Sequence, residues 1–187
     1  MRLVISCMDR RLNHFLEKEY NDGKTTFVRN AGANIGSLKE TLRLLKEAEE
    51  IVILPHTDCG AMGVVEKALR GETLPNLLKP LITPFQNLRV SNRAELETLN
   101  TRVQEELARK VTKARVSSRL IRTEELNAPA SSDNLAIVTA PSTRRYSEFI
   151  PQDFIYRTFV IQNLGDDGEI DQFIAKEFLK VKEVRKV

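Results

Sequence analysis

Tryptophan is absent, aromatic residues make up only 6% of the chain, and cysteine and histidine occur twice each in 187 residues. So few aromatics leave little for a base-stacking platform. A formal net charge of +3, with Lys and Arg interspersed among Glu as in LKETLRLLKEAEE, reads as solvated helix faces rather than a nucleic-acid footprint. No apolar run approaches the ~20 residues that cross a bilayer, so neither nucleic acid nor membrane is expected as a partner. The opening MRLVISC is too short and too quickly charged for a secretory signal and reads as a first strand. The default compartment is then the cytoplasm, where thiols stay reduced. Two cysteines in such a chain are expected as metal ligands or reactive groups, not as a disulfide. The basic ending KVKEVRKV reads as a solvated tail.

Hydrophobic residues at 41% and charged residues at 29% are those of a globular chain, and the length fits one domain over residues 1–187. Strand-like runs recur at LVISC (3–7), TFVR (26–29), IVILP (51–55), ARVSSRLIR (114–122), LAIVT (135–139) and YRTFVIQ (156–162). Helical spacing lies between them, at Leu38, Leu42, Leu45 and Ala48, and at Leu96, Leu99, Val103, Leu107 and Val111. Asn92 with Glu95 is positioned to cap the second of these. A last helix is expected over Glu169–Lys182, with Ile170, Phe173, Ile174 and Phe178 on one face. The alternation predicts an α/β fold, a mostly parallel β-sheet flanked by helices. PNLLKPLITPF (75–85) reads as an irregular connection and NAPASSDN (127–134) as an exposed loop.

Chemistry concentrates in two short stretches. In VISCMDRR, Cys7 ends the first apolar run; in ILPHTDCG, His56 and Cys59 follow the end of another. Functional groups in open parallel sheets gather at the carboxyl ends of strands, so neighbouring strands would bring Cys7, His56 and Cys59 to one point. Two thiolates and an imidazole suit Zn2+, and catalytic zinc sites commonly keep three protein ligands and one open position. If extended backbone continues past Cys7, residues 7, 9 and 11 share one side. Asp9 would then approach the fourth position, and Arg11 would hold its carboxylate ionised in a bidentate pair. Gly32 and Gly36 in RNAGANIG lack the G-x-G-x-x-G spacing and read as small residues that let backbone pack close to the metal site.

The ordered motifs CMDRR (7–11), RNAGA (29–33) and HTDCGAMG (56–63) resemble those of the β-class carbonic anhydrases. The resemblance covers roughly a third of the chain. It implies an α/β fold around a mostly parallel sheet and zinc held by Cys7, His56 and Cys59 beside an Asp9–Arg11 dyad. It implies reversible hydration of carbon dioxide to bicarbonate by zinc-bound hydroxide. It also implies a homodimer or higher homo-oligomer with the pocket near the interface. Arg10, where relatives carry a small residue, is expected to point outward, and STRRY (142–146) reads as a surface loop rather than an anion site. His14 reads as a surface histidine, Asp58 as a local capping carboxylate, and Met8 and Met62 as core. The unfamiliar second half keeps two alternatives open: hydrolysis of carbon disulfide or carbonyl sulfide at the same zinc site, and a non-catalytic zinc-binding homologue whose site Asp9 closes.

Overall fold

The computed structural model describes residues 1–187. Its strands are β1 (Arg2–Cys7), β2 (Thr25–Asn30), β3 (Glu50–Leu54), β4 (Arg115–Ser118), β5 (Leu135–Thr139), β6 (Thr158–Gln162) and β7 (Glu183–Lys186). Its helices are α1 (Asn13–Tyr20), α2 (Leu42–Glu47), α3 (Gly60–Leu69), α4 (Lys79–Ile82), α5 (Arg93–Val111) and α6 (Glu169–Glu177). One sheet runs in the order β4-β3-β1-β2-β6-β5-β7. The strands are parallel within β4-β3-β1-β2 and within β6-β5-β7, and the two groups meet antiparallel at Arg29 opposite Gln162. The mostly parallel sheet read from the alternation is therefore present, with one reversal at its middle.

Both faces of the inner strands are covered, which is why β1, β3, β5 and β6 carry near-continuous apolar runs, while the edge strands β4 and β7 are polar and largely exposed. Along β1, Val4 joins a buried cluster of 28 residues while Leu3 and Ile5 join a second of 12, as period-two side chains must. The register sets Cys7 beside Asn30 and Ser6 beside Leu54. The carboxyl ends of the three central strands are thus level, and the loops leaving them share one edge. Pro55 sits just past β3, where its missing N–H costs no ladder bond, and its carbonyl accepts from Ile121 N–H at 2.8 Å.

Four local expectations need correction. The basic ending is not simply solvated: Glu183–Lys186 pair with β5, and Val184 packs on the larger cluster. The last helix ends at Glu177, not Lys182. Residues 76–85 form consecutive helical turns that bury Leu78, Leu81 and Phe85; Pro75 precedes the first turn, and Pro80 and Pro84 fall in first turns where no N–H is required. Extended backbone stops at Cys7, and residues 10–12 form a tight helical turn capped by Asp9. The 127–134 segment is, as expected, without helix or strand.

Candidate metal centre

Cys7 ends β1, and Cys59 is the residue on which α3 begins. With His56 they bring one ligand atom each to within 4.8 Å of one another, and all three are buried. Bond lengths of about 2.3 Å to sulfur and 2.1 Å to nitrogen put such atoms roughly 3.5–3.8 Å apart in a tetrahedron, so little adjustment separates this trio from a ligand set. His56 Nδ1 lies 2.7 Å from the Thr57 carbonyl and donates to it. That leaves Nε2, buried and with no hydrogen-bond partner. A buried polar atom without a partner is rare and calls for an explanation; a cation between it and the two sulfurs provides one.

The electrostatics agree. Burial alone would raise the Cys7 thiol, but the Cys59 S–H bond and then the His56 charge hold it well below the ordinary thiol value. Cys59 is pushed the other way, by its bond to Cys7 and by burial. Burial opposes protonation of His56, yet the charges of Cys7 and Asp9 lift it to about 9. Thiolates and a neutral imidazole are the forms that ligate a cation, so a metal binding here would displace the protons these groups carry.

Asp9 lies beside the trio, its Oδ2 3.8 Å from His56 Nε2. It reaches that place through the turn it caps, not through extended backbone: Oδ1 accepts the Arg11 backbone N–H at 2.8 Å and Arg11 Nε at 2.9 Å, and Oδ2 accepts Arg11 Nη2 at 2.8 Å. Burial would raise its pKa, but the charge of His56 and then the bonds from Arg11 hold it at about 2. Asp58 is not a local cap; its exposed carboxylate accepts Arg11 Nη1 at 3.0 Å. Arg10 turns away from the dyad and donates to the Pro129 and Tyr156 carbonyls at 2.9 and 2.8 Å. His14 is exposed, and Met8 and Met62 are core.

The glycine loop closes over Cys7. Gly32 donates its N–H to Cys7 Sγ at 3.4 Å from a backbone φ of +79°. A Cβ there would stand 3.1 Å from Met62 Cε, so both the φ and the approach require glycine. Behind the loop stands the first residue of the RNAGA motif, to which the motif alone assigned no role. Arg29 is fully buried and donates to the carbonyls of Cys7 (3.0 Å) and Asp9 (2.8 Å) and to Asn13 Oδ1 (2.6 Å), with its guanidinium 5.1 Å above the Tyr146 ring. Tyr146 is thus interior, although Arg144 and Arg145 of STRRY are on the surface as expected.

A sequence model described as carbonic anhydrase matches residues 2–141. The chain belongs to the carbonic anhydrase family. Similar curated relatives are named Beta-carbonic anhydrase 1, from Mycobacterium bovis and Mycobacterium tuberculosis, each 34% identical over 79 residues. That alignment covers 37% of this chain and 48% of each relative, so the chain spans about half the length of the curated relatives it matches. The crystal structure of the β-carbonic anhydrase CafA of Aspergillus fumigatus shares the fold, with a TM-score of 0.52 at 17% identity over 67% of this chain and 72% of that one. The apo form of a carbon disulfide hydrolase aligns at 18% identity and a TM-score of 0.42, over 66% of this chain and 74% of that one.

Past the family-matched residues, α6 of this β-carbonic anhydrase family member touches the same loop. Asp171, 1% exposed, accepts the Ala31 N–H and Asn163 Nδ2, each at 2.8 Å. Burial pushes its carboxyl from 3.8 to about 7. The native state therefore binds more protons than the unfolded chain between those values, and stability falls as pH rises through the window. Asp171→Asn is expected to flatten that part of the curve of unfolding free energy against pH, measured by urea titration. An unchanged slope in the variant would mean that Asp171 ionises as it does in the unfolded chain.

Proposed function

We propose that this family member hydrates carbon dioxide reversibly to bicarbonate, with Zn2+ held by Cys7, His56 and Cys59. The observation that carries the reading is the unpartnered His56 Nε2 facing two buried thiols, next to an aspartate locked on arginine. Zinc bound there would supply a Lewis acid that lowers the pKa of a water, less strongly with two thiolates than in a three-imidazole site, which reaches about 7. The chain's own contribution is positional. Arg11 occupies both Asp9 oxygens with three hydrogen bonds, so the carboxylate stays ionised and cannot swing freely into the trio. Held beside the ligands, it accepts a hydrogen bond from the attacking water and aims the water's lone pair at carbon dioxide. Gly32 and Arg29 keep the Cys7–Asp9 backbone in place while this happens.

Family membership also supports a homodimer or higher homo-oligomer, and a cytoplasmic setting, where thiols stay reduced, would keep Cys7 and Cys59 available as ligands. No helix is long and apolar enough to cross a membrane. The deciding experiment measures zinc per chain and then hydration by stopped flow at pH 8–9. A rate well above buffer is expected. One zinc per chain with no such rate rejects the reading, and sulfide release from carbon disulfide exceeding carbon dioxide turnover transfers it to the sulfur substrate.

A further inference from the structure

The helix that holds the metal loops lies outside all three motifs. Residues 97, 100 and 104 of α5 recur at helical spacing, and this row is polar and buried: Glu97 is 5% exposed, Asn100 1% and Gln104 0%. Gln104 Oε1 accepts the Ile35 N–H at 2.7 Å, and Asn100 Nδ2 donates to the Gly32 carbonyl at 3.0 Å. Glu97 reaches the other loop: Oε2 accepts the Cys59 N–H at 2.6 Å and Oε1 the Asp58 N–H at 3.1 Å. A buried carboxylate is costly unless its bonds are made, and Glu97 spends both oxygens on consecutive backbone donors of a single turn.

That turn needs holding. Asp58 has φ +54°, in the left-handed region that a non-glycine residue enters at a cost. Cys59 starts α3 with no side-chain cap on the helix, so the N–H groups at this end depend on an outside acceptor. A carboxylate there is also favoured by the positive end of the helix. The direction in which Cys59 Sγ leaves the backbone is set by the two peptide units that Glu97 grips.

We infer that Glu97 is a positioning residue for the metal ligand Cys59, an inference that rests on the zinc reading above. Its anchor keeps the thiol aimed at the cation, and loosening it weakens metal retention in a protein that remains folded. Groups that orient metal ligands typically change metal affinity by about 10- to 100-fold when altered.

The test compares wild type with Glu97→Gln, which keeps the size but turns an amide NH2 toward one of the two N–H groups. Asn92→Ala is the control: it removes the cap at the start of α5, where Asn92 Oδ1 accepts the Glu95 N–H, and touches nothing in the turn. Zinc-loaded protein is mixed with a coloured chelator, cobalt-loaded protein gives the sulfur-to-cobalt charge-transfer band, and peptide-level hydrogen exchange follows the amides of 58 and 59 in metal-free protein. In Glu97→Gln, zinc release about 10- to 100-fold faster, a shifted cobalt band and faster exchange at 58 and 59 are expected. Asn92→Ala is expected to lower the melting temperature and leave the cobalt band in place. Release within twofold of wild type with an unmoved band overturns the inference, as does an equal band shift in Asn92→Ala, which would make Glu97 a general support of the helix. If Glu97→Gln does not fold, Glu97→Asp, shorter by one methylene, carries the same comparison. If wild type takes up no metal, the zinc reading fails by itself, and unchanged amide exchange in the variant then overturns the positioning role separately.

Discussion

Cys7→Ser is expected to strip the metal and reduce carbon dioxide hydration about 1,000-fold or more: Lewis-acid assistance amounts to several kcal/mol, at about 1.4 kcal/mol per tenfold in rate. The fold should survive the change. Serine is smaller than cysteine, the site is 4% exposed, and the hydroxyl can still accept from the Gly32 N–H that now meets Cys7 Sγ. What is lost is the thiolate, the softest and most strongly bound of the ligand types zinc takes. His56 and Cys59 alone would then hold the ion, and dialysis against a chelator should leave the variant with little zinc while wild type keeps about one per chain. Circular dichroism before and after checks the fold; metal analysis and stopped flow check the site. A Cys7→Ser protein that keeps its zinc and a rate within tenfold of wild type removes Cys7 from the ligand set, and with it the assignment built on β1.

The meeting of Cys7, His56 and Cys59 was legible because these residues carry chemistry that little else explains. Two cysteines and a histidine at the ends of apolar runs have few uses in a chain so poor in both, and parallel strands put such ends together. The supports were not legible, because they are ordinary residues in ordinary patterns. The apolar spacing of Leu96, Leu99, Val103, Leu107 and Val111 located α5, and Asn92 does cap it. The buried set on that helix is nonetheless Leu96, Glu97, Asn100, Gln104 and Ala108, with Val103, Leu107 and Val111 only partly buried. Periodicity of apolar residues cannot see a polar face that is buried for its hydrogen bonds. Asp171 and Tyr146 were hidden for the same reason: their partners are 140 and 117 positions away, at Ala31 and Arg29. The dyad shows a subtler failure. Asp9 and Arg11 were paired correctly for the wrong reason, since a capped turn and an extended strand both bring residues two apart together. β7 was missed because an edge strand rich in Lys and Arg looks like a tail.

Arg29→Met should be the most destabilising single change near the site that leaves the proposed ligands untouched. Arg29 heads the fully buried side chains by volume. Its charge is not met by a carboxylate; it is spread over the carbonyls of Cys7 and Asp9, the Asn13 amide oxygen and the face of Tyr146. Methionine fills much of the space and removes a desolvated charge, which by itself favours the variant. Against that stand three lost hydrogen bonds from a charged donor, at about 1.5–3 kcal/mol each; Asn13 Oδ1 is left without a donor, while the Cys7 carbonyl keeps Ser6 Oγ at 2.9 Å and the Asp9 carbonyl keeps the Leu12 N–H at 3.1 Å. The lost charge-assisted bonds and the orphaned Asn13 oxygen outweigh the relief of the buried charge, for a net loss of roughly 3 kcal/mol. In a domain of this size that lowers the melting temperature by about 6–12 °C. Arg29→Lys keeps the charge but has one ammonium in place of a planar fork, so it cannot serve three acceptors fixed around that fork and should fall between wild type and methionine. Tyr146→Phe keeps the ring under the guanidinium and loses only the hydroxyl bond to Gln162 Oε1, for about 1 kcal/mol. The order Tyr146→Phe, Arg29→Lys, Arg29→Met in increasing loss, read by calorimetry on zinc-loaded protein, is what a cradle of carbonyls around one guanidinium requires. An Arg29→Met protein melting within about 2 °C of wild type, less than one kcal/mol in a domain of this size, would show that Ser6 Oγ and the Leu12 N–H suffice for those carbonyls and that the backbone between Cys7 and Asp9 does not depend on this arginine.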